Sequence, residues 1–95
     1  MSITRINEFQ ARDGEGKALY NFLKSILPLI QESEGNISCK ILQNEEDPTQ
    51  IIVIEVWENK ERHAASVKTI PKELLQEAML YIAAPPKGAY YKSEY

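Results

Sequence analysis

Residues 50–58, QIIVIEVWE, constrain this chain more than any other stretch. Successive side chains of an extended strand point to opposite faces. Ile52, Ile54 and Val56 therefore face one way, and Ile51, Val53 and Trp57 the other. A strand that is apolar on both faces belongs between two apolar layers. The remaining sequence supplies helices enough to cover only one face of a sheet. A second copy of the same chain is the simplest cover for the other, because small soluble proteins most often assemble as two-fold dimers. The alternative, a monomer with a bare apolar sheet face, invites association. The expected working unit is a homodimer.

The flanking segments supply the other elements. Residues 2–11 alternate as a strand, with Ile3, Arg5, Asn7 and Phe9 on one face and Thr4, Ile6, Glu8 and Gln10 on the other. After the turn cluster Asp13-Gly14-Glu15-Gly16, residues 17–34 read as a helix. Leu19, Phe22, Leu23, Ile26 and Ile30 recur at helical spacing, and Gly35 follows as a stop. Pro28 removes one backbone hydrogen bond and is expected to kink the last turns or split them off. Residues 36–44 are a second strand with Ile37, Cys39 and Ile41 on one face, joined to residues 50–58 as a hairpin whose acidic tip, Glu45-Glu46-Asp47, is solvated.

Residues 60–68 form a short helix. Residues 71–83 form another, with the stripe Leu74, Leu75, Ala78, Met79 and Ile82, ended by Ala84-Pro85-Pro86. Residues 88–95 alternate as a last strand. The order is that of a ferredoxin-like α+β sandwich: a four-stranded antiparallel sheet with helices on one face, in a single domain over residues 1–95.

At 95 residues the chain holds one modest core. A net charge of -3 argues against nucleic acid as a partner, because phosphate recognition needs a basic excess. The longest apolar stretch, residues 78–84, falls far short of the ~20 residues of a membrane span. The first ten residues, MSITRINEFQ, lack the layout of a secretion signal. The single cysteine, Cys39, has no intramolecular disulfide partner, so a reducing, cytoplasmic setting is expected.

One His, one Cys and scattered acids lack the spacing of a metal site, and no Gly-rich phosphate loop follows a strand. Cys39, among apolar neighbours, reads as a core thiol rather than a nucleophile. Arg5 and Asn7 share a strand face with Ile3 and Phe9. Either that face is partly solvated, with Arg5 reaching water or pairing across the sheet with Glu55, or the two contact a ligand. Trp57 shares a face with Glu55 and either packs in the core or lines a pocket. His63, beside Arg62 and near Glu58 and Glu61, reads as a solvated surface histidine or a proton acceptor. Tyr20, Tyr81, Tyr90, Tyr91 and Tyr95 either line a flat ligand's pocket or simply pack.

The segments Glu34-Gly35-Asn36-Ile37-Ser38-Cys39, Leu42-Gln43, Asp47-Pro48 and Ile52-Val53-Ile54-Glu55-Val56-Trp57-Glu58-Asn59-Lys60-Glu61 resemble the antibiotic biosynthesis monooxygenase domain of the dimeric α/β-barrel superfamily. The resemblance spans essentially the whole chain, and Glu-x-Trp-Glu before a short helix is its most specific part. It implies protomers whose sheets pack face to face as a barrel. In the oxygen-using members it implies oxidation of hydroquinones or polycyclic phenols by molecular oxygen with no metal or flavin cofactor. A Trp at the position of Trp57 lines their pocket between sheet and helices.

In the related haem-degrading branch Asn7 and Trp57 have counterparts, but the haem-ligating His falls at Val67 or its neighbours, where this chain has none. A His frequent nine residues after the Trp is Ser66 here, and His63 lies three residues earlier on the same helical face. The expected roles are Trp57 stacking on or bonding the substrate, Asn7 orienting one of its oxygens, Arg5 stabilising negative charge and His63 accepting a proton. Phe9, Phe22 and Glu55 complete the expected pocket. Two other readings remain open: a non-catalytic dimer that binds a small hydrophobic ligand, and a haem-binding protein.

Overall fold

A computed structural model describes residues 2–92. Its elements are β1 (Ile3–Gln10), α1 (Gly16–Gln31), β2 (Asn36–Gln43), β3 (Gln50–Trp57), α2 (Lys60–Val67), α3 (Lys72–Met79) and β4 (Lys87–Lys92). The strands make one antiparallel sheet in the order β2-β3-β1-β4, the expected ferredoxin-like topology. β1 and β3 are its central strands. No helix among the described residues is long and apolar enough to cross a membrane.

Cross-strand register assigns the faces. Arg5 lies opposite Glu55 and Tyr90, Asn7 opposite Val53 and Gly88, and Phe9 opposite Ile51. Cys39 and Ile41 of β2 meet Glu55 and Val53 from the other side. These residues share the helix-covered face, where Leu19, Phe22 and Leu23 of α1 pack with Ala11, Ile51, Val53 and Ile82 as the core. The opposite face carries Ile6, Leu42, Ile52, Ile54, Val56, Ala89 and Tyr91, all half-exposed or exposed. The two-sided pattern of β3 is therefore real: one face is buried by α1 and α2, and the other is open on the single chain.

Three local expectations are corrected. Ile37 does not share a face with Cys39 and Ile41. A bulge lies between Asn36 and Ser38, which pair with adjacent β3 residues, so Ile37 is the extra residue and is 58% exposed. Pro28 does not split α1, which runs unbroken to Gln31 and closes with the Glu32 N–H donating to the Pro28 carbonyl. One lost bond is tolerated because the face of Leu19, Phe22 and Leu23 already anchors the helix.

The helix expected to end near Ala83 ends at Met79. Ile82 is buried through an isolated bridge to Ala11 instead, while Leu75 and Met79 of the expected stripe are exposed. The expected last strand begins one residue early, at Lys87, and residues 93–95, with Tyr95, lie outside the described part.

Gly35 makes the turn from α1 to β2 at φ +88°, a left-handed conformation that favours glycine. Its carbonyl accepts from the Glu58 N–H, and a Cβ there would strike the Arg62 side chain. This turn sets the end of β3 and the start of α2 against each other.

Candidate functional site

Strand period places Glu55 and Trp57 on the same face of β3, and β1 adds Arg5 and Asn7 beside them. Trp57 is 0% exposed and Glu55 5%. A carboxylate this deep needs donors, because charge removed from water is costly unless it is hydrogen-bonded. Trp57 Nε1 donates to Glu55 Oε1 at 2.8 Å, and Asn7 Nδ2 donates to Glu55 Oε2 at 3.3 Å. Arg5 Nε in turn donates to Asn7 Oδ1 at 3.1 Å. Among the described residues no buried side-chain polar atom is left without a partner.

The helix α2 delivers His63. Its start is set by Asn59, whose side-chain oxygen accepts from the Arg62 N–H at 2.8 Å. Arg62 takes the solvent side and pairs with Glu34 at 2.9 Å. The next residue, His63, therefore turns inward and is 8% exposed, which corrects the surface reading. Its Nδ1 lies 2.6 Å from the Tyr90 hydroxyl, and its Nε2 lies 4.0 Å from Glu55 Oε1. The imidazole meets Trp57 and Tyr90 edge-on, with ring centroids 5.6 and 5.4 Å away. Arg5 Cζ and Lys60 Nζ stand 4.7 and 5.2 Å from the Tyr90 ring centroid.

Burial dominates the electrostatics. It raises the Glu55 pKa, against the opposing pull of the Trp57 hydrogen bond, the Arg5 charge and the Asn7 hydrogen bond. Burial also lowers the His63 pKa, helped by Arg5, so the imidazole is neutral at neutral pH. Cys39 is pushed up to about 12 by burial and by the Glu55 charge, so it carries no thiolate at neutral pH and behaves as the expected core thiol.

Arg5, Asn7, Glu55, Trp57 and His63 are thus brought together. Phe9 and Phe22 are not part of that cluster. Phe22 lies in the core with its ring centroid 5.8 Å from that of Tyr81. Phe9 packs on the same core at the other end of β1, where it lines a cleft of about 460 Å³ with Gln10, Gln50, Pro85 and Lys87. Tyr90 is the member that sequence reading left undistinguished among the tyrosines. Tyr20 and Tyr81 pack on the core, and Tyr91 lies 52% exposed on the open face. Only alternation along β4 combined with the β1 register singles out Tyr90. Among the described residues no three His, Cys, Asp or Glu side chains gather as a metal site.

Solved structures share this architecture across nearly the whole chain. A candidate antibiotic biosynthesis monooxygenase of Nitrosomonas europaea is 23% identical, with a TM-score of 0.85 and 100% of both chains covered. A conserved protein of Methanosarcina mazei is 17% identical, with a TM-score of 0.86, covering 99% of this chain and 94% of that one. SnoaB, a cofactor-independent oxygenase from Streptomyces nogalater, is 10% identical, with a TM-score of 0.83, covering 99% and 94%. At these identities the likeness establishes the fold. No curated protein matches the chain. The family model for Antibiotic biosynthesis monooxygenase, however, matches residues 2–78, from β1 through nearly all of α3 and across Arg5, Asn7, Glu55, Trp57 and His63. The chain belongs to the antibiotic biosynthesis monooxygenase family.

Proposed function

We propose that this chain is a cofactor-independent monooxygenase that oxidises a hydroquinone or polycyclic phenol with molecular oxygen, working as a cytoplasmic homodimer. The carrying observation is the buried cluster in which Glu55 holds Trp57 and Asn7 while a neutral His63 and a cationic Arg5 stand beside them. A phenol reduces oxygen far more readily once it has lost its proton. His63 accepts that proton, Arg5 stabilises the resulting anion, and Asn7 orients one of its oxygens. Trp57 is fully buried and does not meet the ring, which corrects the expected stacking role; its indole holds Glu55 in place behind His63. The substrate supplies all the electrons: a hydroquinone and oxygen give a hydroxylated quinone and water. The oxygenase activity in the name of SnoaB supports this reading.

Dimerisation follows from the open sheet face, since Ile6, Ile52, Ile54 and Val56 find an apolar cover in the same face of a second copy. The cytoplasmic placement rests on a single cysteine without a disulfide partner.

Oxygen uptake by metal-stripped protein against a panel of hydroquinones and polycyclic phenols tests the activity. Protein-dependent uptake that falls about a hundredfold in Asn7→Ala is expected. Thermal stabilisation by the same compounds without uptake would overturn the oxygenase in favour of a ligand-binding dimer.

A further inference from the structure

Trp57, Glu55 and His63 are closed off from solvent, whereas Tyr90 is half-buried, with its hydroxyl end at His63. Its hydroxyl sits 2.6 Å from His63 Nδ1, and on the far side of the ring Nε2 lies 4.0 Å from Glu55 Oε1. A carboxylate beside Nε2 favours the tautomer protonated there, which leaves Nδ1 as the acceptor and Tyr90 as the donor. Glu55, His63 and Tyr90 then stand in a row, with the acid behind the imidazole at more than hydrogen-bond distance and the imidazole on a hydroxyl. Arg5 and Lys60, both close to the Tyr90 ring, make the outer end of the row positive.

We propose that Tyr90 meets the substrate hydroxyl and relays its proton to His63, with Glu55 holding the imidazole in the accepting tautomer. This rests on the phenol-oxidising reading above. In the relay the substrate O–H bond breaks and its proton joins Tyr90 Oη as Tyr90's own proton joins Nδ1. The products are a substrate anion, a neutral Tyr90 and an imidazolium facing Glu55. No electron moves in this step, and oxygen reacts only afterwards. The charged and titratable groups facing His63 are Glu55 from β3, Arg5 from β1 and Tyr90 from β4, with Lys60 of α2 beside the tyrosine. Burial keeps His63 neutral and therefore able to accept at neutral pH.

His63 is the only histidine in the chain, so its ring nitrogens are read without overlap in a ¹⁵N-histidine-labelled sample. At neutral pH the expected signal is Nε2 protonated and Nδ1 bare. Adding 4-nitrophenol at a pH below its own ionisation, where the free compound is colourless, is expected to give bound coloured nitrophenolate together with protonated His63. Tyr90→Phe keeps the ring and removes the relay. It should lose bound nitrophenolate and lower kcat on an accepted hydroquinone roughly a hundredfold with little change in KM. An Nδ1-protonated tautomer, absence of nitrophenol binding, or a Tyr90→Phe protein that forms nitrophenolate like the parent overturns the relay. A parent protein that forms nitrophenolate but consumes no oxygen with any hydroquinone keeps the relay and defeats the oxygenase reading. Oxygen consumption unaffected by Tyr90→Phe defeats the relay alone.

Discussion

The indole N–H of Trp57 donates to Oε1 of Glu55 across 2.8 Å, between two residues on one face of the same strand. The bond ties the largest fully buried side chain to the one acid on the helix-covered face of β3. Because Asn7 donates to the other oxygen of that carboxylate, Glu55 is the hub on which the cluster is built.

Removing the hub strands its donors. Glu55→Ala leaves the buried Trp57 N–H and the half-buried Asn7 amide without that acceptor and is expected to cost about 1–3 kcal/mol in urea unfolding. Glu55→Gln keeps an acceptor oxygen for the indole and should cost less. An alanine variant that loses under about 1 kcal/mol would show that the hub is not what organises this end of the sheet.

His63 titrates below its ordinary value of 6.5 because of burial and Arg5. Between the lowered folded value and 6.5 the unfolded chain binds the extra proton, so stability rises with pH through that window and is fully present above 6.5. As pH falls through the folded value the contribution is lost. The stability difference between the parent and His63→Asn should therefore climb up to about pH 6.5 and stay flat above it. A difference that instead declines through that window would place a raised, not lowered, value on His63. Glu55 has the opposite sense: its raised value makes stability fall as pH rises above 4.5 until it ionises in the folded state. Subtracting the His63→Asn curve separates the two.

Gly88 pairs with Asn7, and a Cβ at that position would run into the Arg5 guanidinium and Asn7 Oδ1. Gly88→Ala is expected to break the bond between Arg5 and Asn7 and to reduce oxygen consumption about tenfold, with unfolding changed by about 1–2 kcal/mol. Unchanged uptake in the alanine variant would show that the placement of Arg5 does not matter to turnover.

Ile54 sits mid-strand on the open face, opposite Ile6 on one side and Lys40 on the other. If two copies join through this face, Ile54→Asp buries a charge in the interface and should leave only monomer in sedimentation at micromolar concentration. A parent chain that already sediments as a monomer would end the face-to-face pairing.

Much of this was legible in local periodicity. The two faces of β3, the shared face of Glu55 with Trp57 and of Arg5 with Asn7, and the strand and helix order all follow from repeats of 2 and 3.6 residues along the chain. The inward turn of His63 was not, because it depends on the Asn59 cap and on Arg62 being drawn to Glu34 on a different segment. Nor were the bulge at Ile37 and the early end of α3, which are set by pairing to β3 and by the bridge from Ile82 to Ala11.

Tyr90 is the clearest case. One of five tyrosines in the sequence, it became distinct only when the register of β4 on β1 laid it beside Arg5 and α2 carried His63 to its hydroxyl. Faces along an unbroken strand such as β3 are readable from the chain alone, because side-chain direction there is a local property of the backbone; the bulge at Ile37 is where that reading fails. Which residues meet across elements was decided by the tertiary structure, because cross-strand register and helix placement depend on contacts between residues far apart in the chain.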